Sequence, residues 1–209
     1  MSNGQDDFGN AGITQCEIDI STGKRLSPGK VIWTGSGGRY LEGPHLYKIG
    51  AYYYLLAAEG GTEYGHMVTY ARGLTVNGPF ESYEKNPVLT NRNLGGFFIQ
   101  GIGHGDLIQA YDGNYWMIHL GFRQTGQWTT FHHLGREVFL TPVTFDSDGW
   151  FTAGSDGTTK EFFEAPHLTD INNEKKIYTF ENTDNSIDWS YLRFPDKENY
   201  CFYGRRSPL

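Results

Sequence analysis

The chain has 209 residues, a formal net charge of −7 and no cluster of basic side chains. This balance argues against a nucleic-acid partner, whose phosphates require lysine and arginine. The sequence contains no run of 18 apolar residues and no charged-then-apolar leader, so we expect no membrane span and a cytoplasmic location. Only Cys16 and Cys201 are present, and we expect this pair to be reduced.

Aromatic residues make up 16% of the chain, and 28 glycines accompany them. This composition is typical of an all-β protein with many tight turns. Short apolar or alternating segments bounded by Gly, Pro and Ser predict strands, and they occur at 12–20, 30–33, 52–58 and 66–71. No segment keeps a helical period for three turns, so the sequence predicts an all-β fold.

A weak internal repeat suggests how the strands are grouped. Residues 46–55 resemble residues 107–117, and both combine a strand, a tight turn and an aromatic strand. A third relative begins at Arg136 and runs to residue 145. Repeats of several strands are typical of a β-propeller, so we expect about three blades, the third beginning at Arg136.

The pattern changes at Thr152, where a polar stretch begins that includes residues 172–176. We therefore predict a partial propeller over residues 1–151 and a connecting segment over residues 152–209. The aromatic segment 187–193 is able to dock on another surface, but too few residues follow it to complete a second domain.

Glu42 is the principal candidate for a catalytic residue. It lies in the segment GGRYLEGPHLY (37–47), at a predicted strand entrance just before the aromatic run 52–54. A carboxylate held there is suited to act as a general acid in a sugar pocket, where glycoside hydrolysis needs two opposed carboxylates. The alternative is an exposed acid after a glycine turn.

His104 lies in the segment GHGDL (103–107), at the equivalent entrance of the next repeat. Inner strands of adjacent blades would bring Glu42 and His104 together at the mouth of the channel. His104 lacks zinc-site spacing, and a hard cation reached mostly through water suits such a sparse ligand set better. A purely structural histidine is the alternative, and we interpret the adjacent pair His132 and His133 as structural because neighbours on a strand face opposite ways.

His104 is also a candidate for substrate binding, and two further residues join it. Arg136 follows a glycine, and its planar guanidinium is able to hold two sugar hydroxyls; the alternative is a surface arginine paired with Glu137. Thr62, with Glu63, lies in a glycine-rich loop that either lines the sugar site or is an ordinary hairpin loop.

These segments together resemble glycoside hydrolase family 43, in the branch of the β-xylosidases and α-L-arabinofuranosidases. The resemblance rests on GGRYLEGPHLYK, AEGGTEYGH, GHGDL and HLGREVFL, and it spans roughly residues 12–151. It implies a five-bladed β-propeller that hydrolyses xylo-oligosaccharides or arabinose-substituted xylan with inversion. The segment 162–200 resembles the connection to the β-sandwich domain that follows the propeller in this branch.

The resemblance also implies roles for three residues. Glu42 matches the general acid, Arg136 matches the arginine that contacts the sugar, and His104 matches the channel histidine that often lies next to a calcium ion. The family's two aspartates, a general base and a residue that tunes the acid, belong to blades that precede anything in this chain. Asp6 and Asp7 do not lie in the expected motif.

We therefore expect the chain to be an N-terminally truncated member of the family that is nearly inactive by itself. It would need self-association or a complementing chain to cover its open blades. The alternative interpretation is a non-catalytic carbohydrate-binding or scaffold fragment.

Overall fold

The computed structural model describes residues 2–128 and 131–165, all within the first of two compact units, Met1–His167. The described part contains eleven strands and no helix, as the composition predicts. The strands are β1 (Ser2–Gln5), β2 (Ala11–Gln15), β3 (Lys30–Trp33), β4 (Glu42–Ile49), β5 (Tyr52–Glu59), β6 (Met67–Gly73), β7 (Glu81–Ser82), β8 (Ile99–Gln109), β9 (Tyr115–Arg123), β10 (Glu137–Phe145) and β11 (Phe151–Ala153).

The strands form three antiparallel sheets of consecutive strands, so the number of blades agrees with the prediction. One sheet has the order β1-β2-β3, the second β4-β5-β6-β7 and the third β8-β9-β10-β11. Tight turns join the strands of a blade, because Gly50 and Gly113 adopt positive φ between β4 and β5 and between β8 and β9. The all-β fold and its character as a partial five-bladed propeller are thereby confirmed.

The third predicted blade was placed wrongly. Arg136 does not begin a new blade, because the strand after it, β10, pairs with β9 from Glu137 to Val143. β10 is therefore the third strand of the sheet that β8 begins. The remaining blade is the sheet at the other end, formed by β1, β2 and β3.

The middle sheet packs against both of its neighbours, and β5 shows how. Leu55 and Ala57 belong to an apolar cluster with Ile13 of β2. The alternate residues Tyr54 and Leu56 belong to the larger cluster shared with the β8–β11 sheet. Because successive side chains on a strand point to opposite faces, an apolar run such as β5 is buried on both sides.

Contacts of the third sheet continue beyond the predicted domain boundary at residue 151. β11 ends at Ala153, and Thr159 is buried where its N–H donates to Asn91 Oδ1. The division at residues 151 and 152 stays a prediction, and the segments 172–176 and 187–193 lie outside the described residues. Within the described part no helix is long and apolar enough to cross a membrane, and Cys16 is a free thiol; Cys201 is outside that part.

Candidate active site

Glu42 is the first residue of β4 and is half-buried. The pairing of β4 with β5 shifts register between Glu42 and His45, which is a β-bulge. Gly43, inside this bulge, has a φ of 57°, a conformation that glycine adopts at little cost. Bulges redirect side chains at functional sites, and this one sets the direction of the Glu42 carboxylate.

The loop before Glu42 is held by a buried carboxylate, Glu59, at the end of β5. Its Oε1 accepts hydrogen bonds from the Ser36 backbone N–H at 2.7 Å and from Thr69 Oγ1 at 2.8 Å, while Oε2 accepts from the Gly38 N–H. Glu59 is only 1% exposed. Charge-assisted hydrogen bonds of this kind fix the position of a loop, so Glu59 orients the approach to Glu42.

His104 lies on β8, the neighbouring inner strand, and is half-buried. Its φ of 53° is unusual for a residue with a side chain, and it lies within a register shift of β8 that extends from Gly103 to Asp106. The imidazole packs directly over Gly43, where a Cβ atom would lie 2.7 Å from Nε2. The two bulged strands therefore bring Glu42 and His104 to one place, as the repeat predicts.

His66 is a third member of this cluster, and no sequence pattern predicted a role for it. The residue is 1% exposed and its Nδ1 lies 3.0 Å from the carbonyl oxygen of Gly101, so Nδ1 carries the proton. Its Nε2 is buried without a hydrogen-bond partner among the described residues. Burial lowers the pKa of His66, so the ring is neutral and Nε2 presents a lone pair.

The three side chains form a compact set of donors. One ligand atom from each of Glu42, His66 and His104 lies within 4.8 Å of the other two. Gly103 makes this possible, because a Cβ there would lie 2.3 Å from the His66 ring. The GHGDL segment shows that position 103 is a glycine, but it does not show that the His66 ring packs against it. His66 is distant in sequence, 35 residues from its hydrogen-bond partner Gly101.

A cavity of about 470 Å³ contains two of the three predicted substrate-binding residues, Thr62 and Arg136, each with an exposed side chain, whereas His104 is not among its lining residues. The positive charge of Arg136 also contributes to lowering the pKa of His66, which connects the cavity to the cluster. His132, which was interpreted as structural, lines this cavity and stacks on Phe122 at 4.3 Å between ring centroids. The other lining residues are Glu63, Tyr64, Phe122 and Gly135.

Asp106, two residues after His104, braces the inner strands. Its Oδ1 accepts a hydrogen bond from Tyr47 Oη at 2.8 Å and lies 2.9 Å from His45 Nδ1. Burial and the neighbouring Asp106 both raise the pKa of Tyr47, so Tyr47 remains a hydrogen-bond donor. Because its carboxylate contacts two side chains of β4, we interpret Asp106 as a structural residue that joins β4 and β8 rather than as the missing general base.

Asp6 and Asp7 have structural roles, consistent with their exclusion from the site. Partial desolvation of Asp6 is outweighed by hydrogen bonds from Asn10 and from the Val31 and Phe8 N–H groups, which lower its pKa to about 2. Asp7 forms an ion pair with Arg25. Both carboxylates thus hold the β1–β2 and β2–β3 connections together.

The donor set at the cluster does not suit direct calcium coordination. Calcium takes six to eight oxygen ligands, whereas Glu42, His66 and His104 offer one carboxylate and two imidazole nitrogens. A calcium ion held through water near His104 stays a prediction.

Three blade-like sheets, with Glu42 at the start of β4, His104 within β8 and His66 just before β6, are those of a β-propeller protein with a candidate catalytic site where neighbouring blades meet. The sequence profile of the glycosyl hydrolases family 43 matches residues 1–151, and the chain belongs to this family.

Named relatives agree with this assignment. The chain is 41% identical over 180 residues to the non-reducing end α-L-arabinofuranosidase BoGH43B of Bacteroides ovatus, covering 85% of this chain and 34% of that protein. It is 35% identical to the xylosidase/arabinosidase 43B of Humicola insolens, covering 90% and 35%. The chain thus spans about a third of the length of these relatives.

Solved structures show the same fold. The Bacteroides ovatus xyloglucan-locus protein GH43B superimposes with a TM-score of 0.76 at 37% identity, over 92% of this chain and 38% of that structure. The GH43 protein BlXynB of Bacillus licheniformis, as a K247S mutant, gives a TM-score of 0.75 at 33% identity, over 93% of this chain and 38% of that structure.

Proposed function

We propose that this chain is the acid-bearing part of an inverting family 43 glycosidase that acts on xylo-oligosaccharides or arabinose-substituted xylan. The observation that carries the proposal is Glu42, half-buried on a bulged inner strand beside His104 and His66. The cavity with Arg136 and Thr62 supports a sugar ligand. Relatives named as arabinofuranosidases and xylosidases support the choice of substrate.

In the proposed reaction, Glu42 donates its proton to the oxygen of the leaving sugar while water attacks the opposite face of the ring. Inversion requires a second carboxylate about 6.5–9.5 Å from the acid to activate that water. The Arg136 guanidinium donates two parallel hydrogen bonds to sugar hydroxyls, and the Thr62 hydroxyl contributes a third. These contacts hold the glycosidic oxygen within reach of Glu42.

The general base and the aspartate that tunes the acid are expected from outside these 209 residues. Each catalytic group of this kind contributes about 10²- to 10⁴-fold to the rate, so the chain alone is expected to be nearly inactive. A complementing chain or self-association would supply the remaining groups. Strongly exposed apolar side chains on the first sheet and its connections, Phe8, Ile20 and Leu26, are consistent with such a partner. A cytoplasmic location stays a prediction.

The leaving group tests the role of Glu42. The dinitrophenolate group of dinitrophenyl β-xyloside departs without protonation, whereas the sugar leaving group of xylobiose needs a general acid. We expect Glu42→Gln to abolish the residual hydrolysis of xylobiose by the chain and to leave that of dinitrophenyl β-xyloside largely intact. Glu81→Gln, an exposed carboxylate on β7 that does not line the cavity, is the matched control. Equal rates for Glu42→Gln and the parent chain on xylobiose would remove Glu42 from the mechanism.

Calorimetric titration with xylobiose separates the enzyme fragment from a purely binding module. Binding that Arg136→Lys weakens, together with turnover that requires Glu42, supports the proposal. Binding without any turnover, even at high protein concentration, favours a non-catalytic carbohydrate-binding fragment, and absence of binding contradicts both.

A further inference from the structure

We infer that Arg72 is the centre of a second binding site, for a small oxyanion that carries a carboxylate or phosphate group. A cavity of about 730 Å³ lies between the β4–β5 turn and the β10–β11 turn, and Arg72 forms part of its wall. Glu42 and Ile49 are the two ends of β4, and a strand of that length separates this cavity from the candidate acid by about 20 Å. The inference therefore does not depend on the proposed function.

The first observation is that the Arg72 guanidinium is a buried cation without an acidic partner. The residue is only 9% exposed, and among the described residues it forms no ion pair with a carboxylate. Arg25 and Arg123, which do form ion pairs, are both more exposed. Because charged side chains are rarely buried unless they are paired, Arg72 has a positive charge that an anionic ligand would neutralise.

The second observation is that the guanidinium has more donors than the described residues have acceptors for it. Arginine donates from every nitrogen of its guanidinium, and the acceptors close to Arg72 are the Asp148 carbonyl and the Tyr54 hydroxyl. Its Nε is buried without a hydrogen-bond partner in this part of the chain. The rings of Tyr52 and Trp150 stabilise the charge, but an aromatic face is only a weak hydrogen-bond acceptor. The planar fork of arginine is suited to bind a carboxylate or phosphate through paired hydrogen bonds.

Two acidic residues of the β10–β11 turn make the charge of the ligand testable. Asp146 Oδ1 accepts the N–H groups of Asp148 and Trp150 at 2.9 Å each, so this carboxylate is held within the turn. Asp148 lines the cavity and has an exposed side chain. The Asp148 carboxylate would repel a bound anion, whereas a neutral sugar would use it as an acceptor for a hydroxyl group.

The experiment is titration of the chain with sodium phosphate and, separately, with sodium glucuronate in Tris chloride buffer, with xylose as the uncharged comparison. Trp150 reports on the cavity wall. In the chain labelled with 5-fluorotryptophan, its ¹⁹F signal is the one that is missing from Trp150→Phe. We expect at least one of the two anions to shift this signal and to saturate at one ion per chain, and xylose to leave it unchanged. A response to phosphate alone identifies a phosphate site, and a response to glucuronate alone identifies a carboxylate site.

Variants with opposite expected effects identify the contacts. Arg72→Lys keeps the charge but not the planar pair of donors, so it should weaken anion binding by about tenfold or more. Asp148→Asn should strengthen anion binding by up to about fivefold, because it removes a repulsive charge from the cavity. Exposed Arg92→Lys is the matched control and should leave the affinity unchanged.

Several results would overturn the inference. They are a Trp150 signal that neither anion shifts, anion binding that Arg72→Lys leaves intact, and anion binding that Asp148→Asn does not strengthen. Anion binding that Arg136→Lys abolishes would also overturn it, because the ion would then occupy the other cavity. Circular dichroism establishes that the variants are folded, and Asp148→Asn, at an exposed position, decides the outcome if Arg72→Lys does not fold.

Discussion

Gly43 and His104 lie in such close contact that the backbone of one inner strand supports the imidazole of the next. A Cβ atom at position 43 would lie 2.7 Å from Cε1 and Nε2 of His104. The positive φ of Gly43 adds a second reason for glycine at this position. The placement of the candidate acid and of the channel histidine thus depends on one residue without a side chain.

Gly43→Ala should therefore displace His104 as well as strain the bulge. We expect a loss of about 1 kcal/mol or more in the free energy of unfolding, from the unfavourable φ alone. Xylobiose affinity should fall in addition, because the imidazole moves. Gly113→Ala is the matched control, since Gly113 also has a positive φ but no atom within 4 Å of its Cβ position. Equal losses of xylobiose affinity in the two variants would contradict the role of this contact.

Glu59 offers a second test, of the loop that precedes Glu42. In Glu59→Gln one side-chain position becomes an NH₂ group, which must face the N–H of either Ser36 or Gly38. Losing one of these part-buried hydrogen bonds and leaving the NH₂ group of the buried side chain without an acceptor costs about 1–3 kcal/mol. Chemical denaturation should show this loss, whereas exposed Glu63→Gln should be neutral. A loss as small as that of the Glu63 variant would show that the loop is held by other contacts.

The sequence predicts more of this fold than of the site, and particular residues explain why. The fold follows from alternating apolar strands and turn glycines such as Gly50, which are local signals. β10 was assigned to a new blade because a third strand and an inner strand have the same alternation. Glu42 and His104 are recognisable because glycines lie close to each of them in the sequence. The role of His66 depends on contacts with Gly101 and Gly103, which are distant in sequence and leave no local pattern.

Arg72 connects the middle and third sheets at the end of the blades where β4 meets β5. Its guanidinium lies between the rings of Tyr52 and Trp150, 4.2 Å and 3.7 Å from their centroids, and donates to the Asp148 carbonyl. Lysine keeps the charge but not the planar stacking. We expect Arg72→Lys to lower the free energy of unfolding by about 1–2 kcal/mol.

Thermal unfolding measures this effect, with exposed Arg92→Lys as the control. Xylobiose binding should be unaffected, because Arg72 contacts the β4–β5 and β10–β11 turns rather than the cavity at Arg136. Unchanged stability in Arg72→Lys would mean that the apolar core alone holds the two sheets together.

His119 makes the stability of the third sheet dependent on pH. Burial lowers its pKa to about 4, and the neutral ring bridges Thr141 Oγ1 at 2.8 Å and the Leu120 carbonyl at 3.1 Å. The unfolded chain takes up the proton near pH 6.5 and the folded chain only near pH 4, so the unfolded state binds more protons between these values. Stability is therefore complete above pH 6.5 and decreases as the pH falls toward 4, by up to about 3 kcal/mol. His66, whose pKa is also lowered, contributes in the same direction.

The contributions of His119 and His66 to this pH dependence are distinguished with a variant, because the glutamine in His119→Gln cannot take up a proton. The urea midpoint of the parent chain should fall steeply between pH 6.5 and 4, and that of His119→Gln should fall less steeply over the same range. Exposed His133→Gln should follow the parent chain. Identical pH profiles for the parent and His119→Gln would show that His119 does not resist protonation in the folded state, and the acid sensitivity would then belong to other groups.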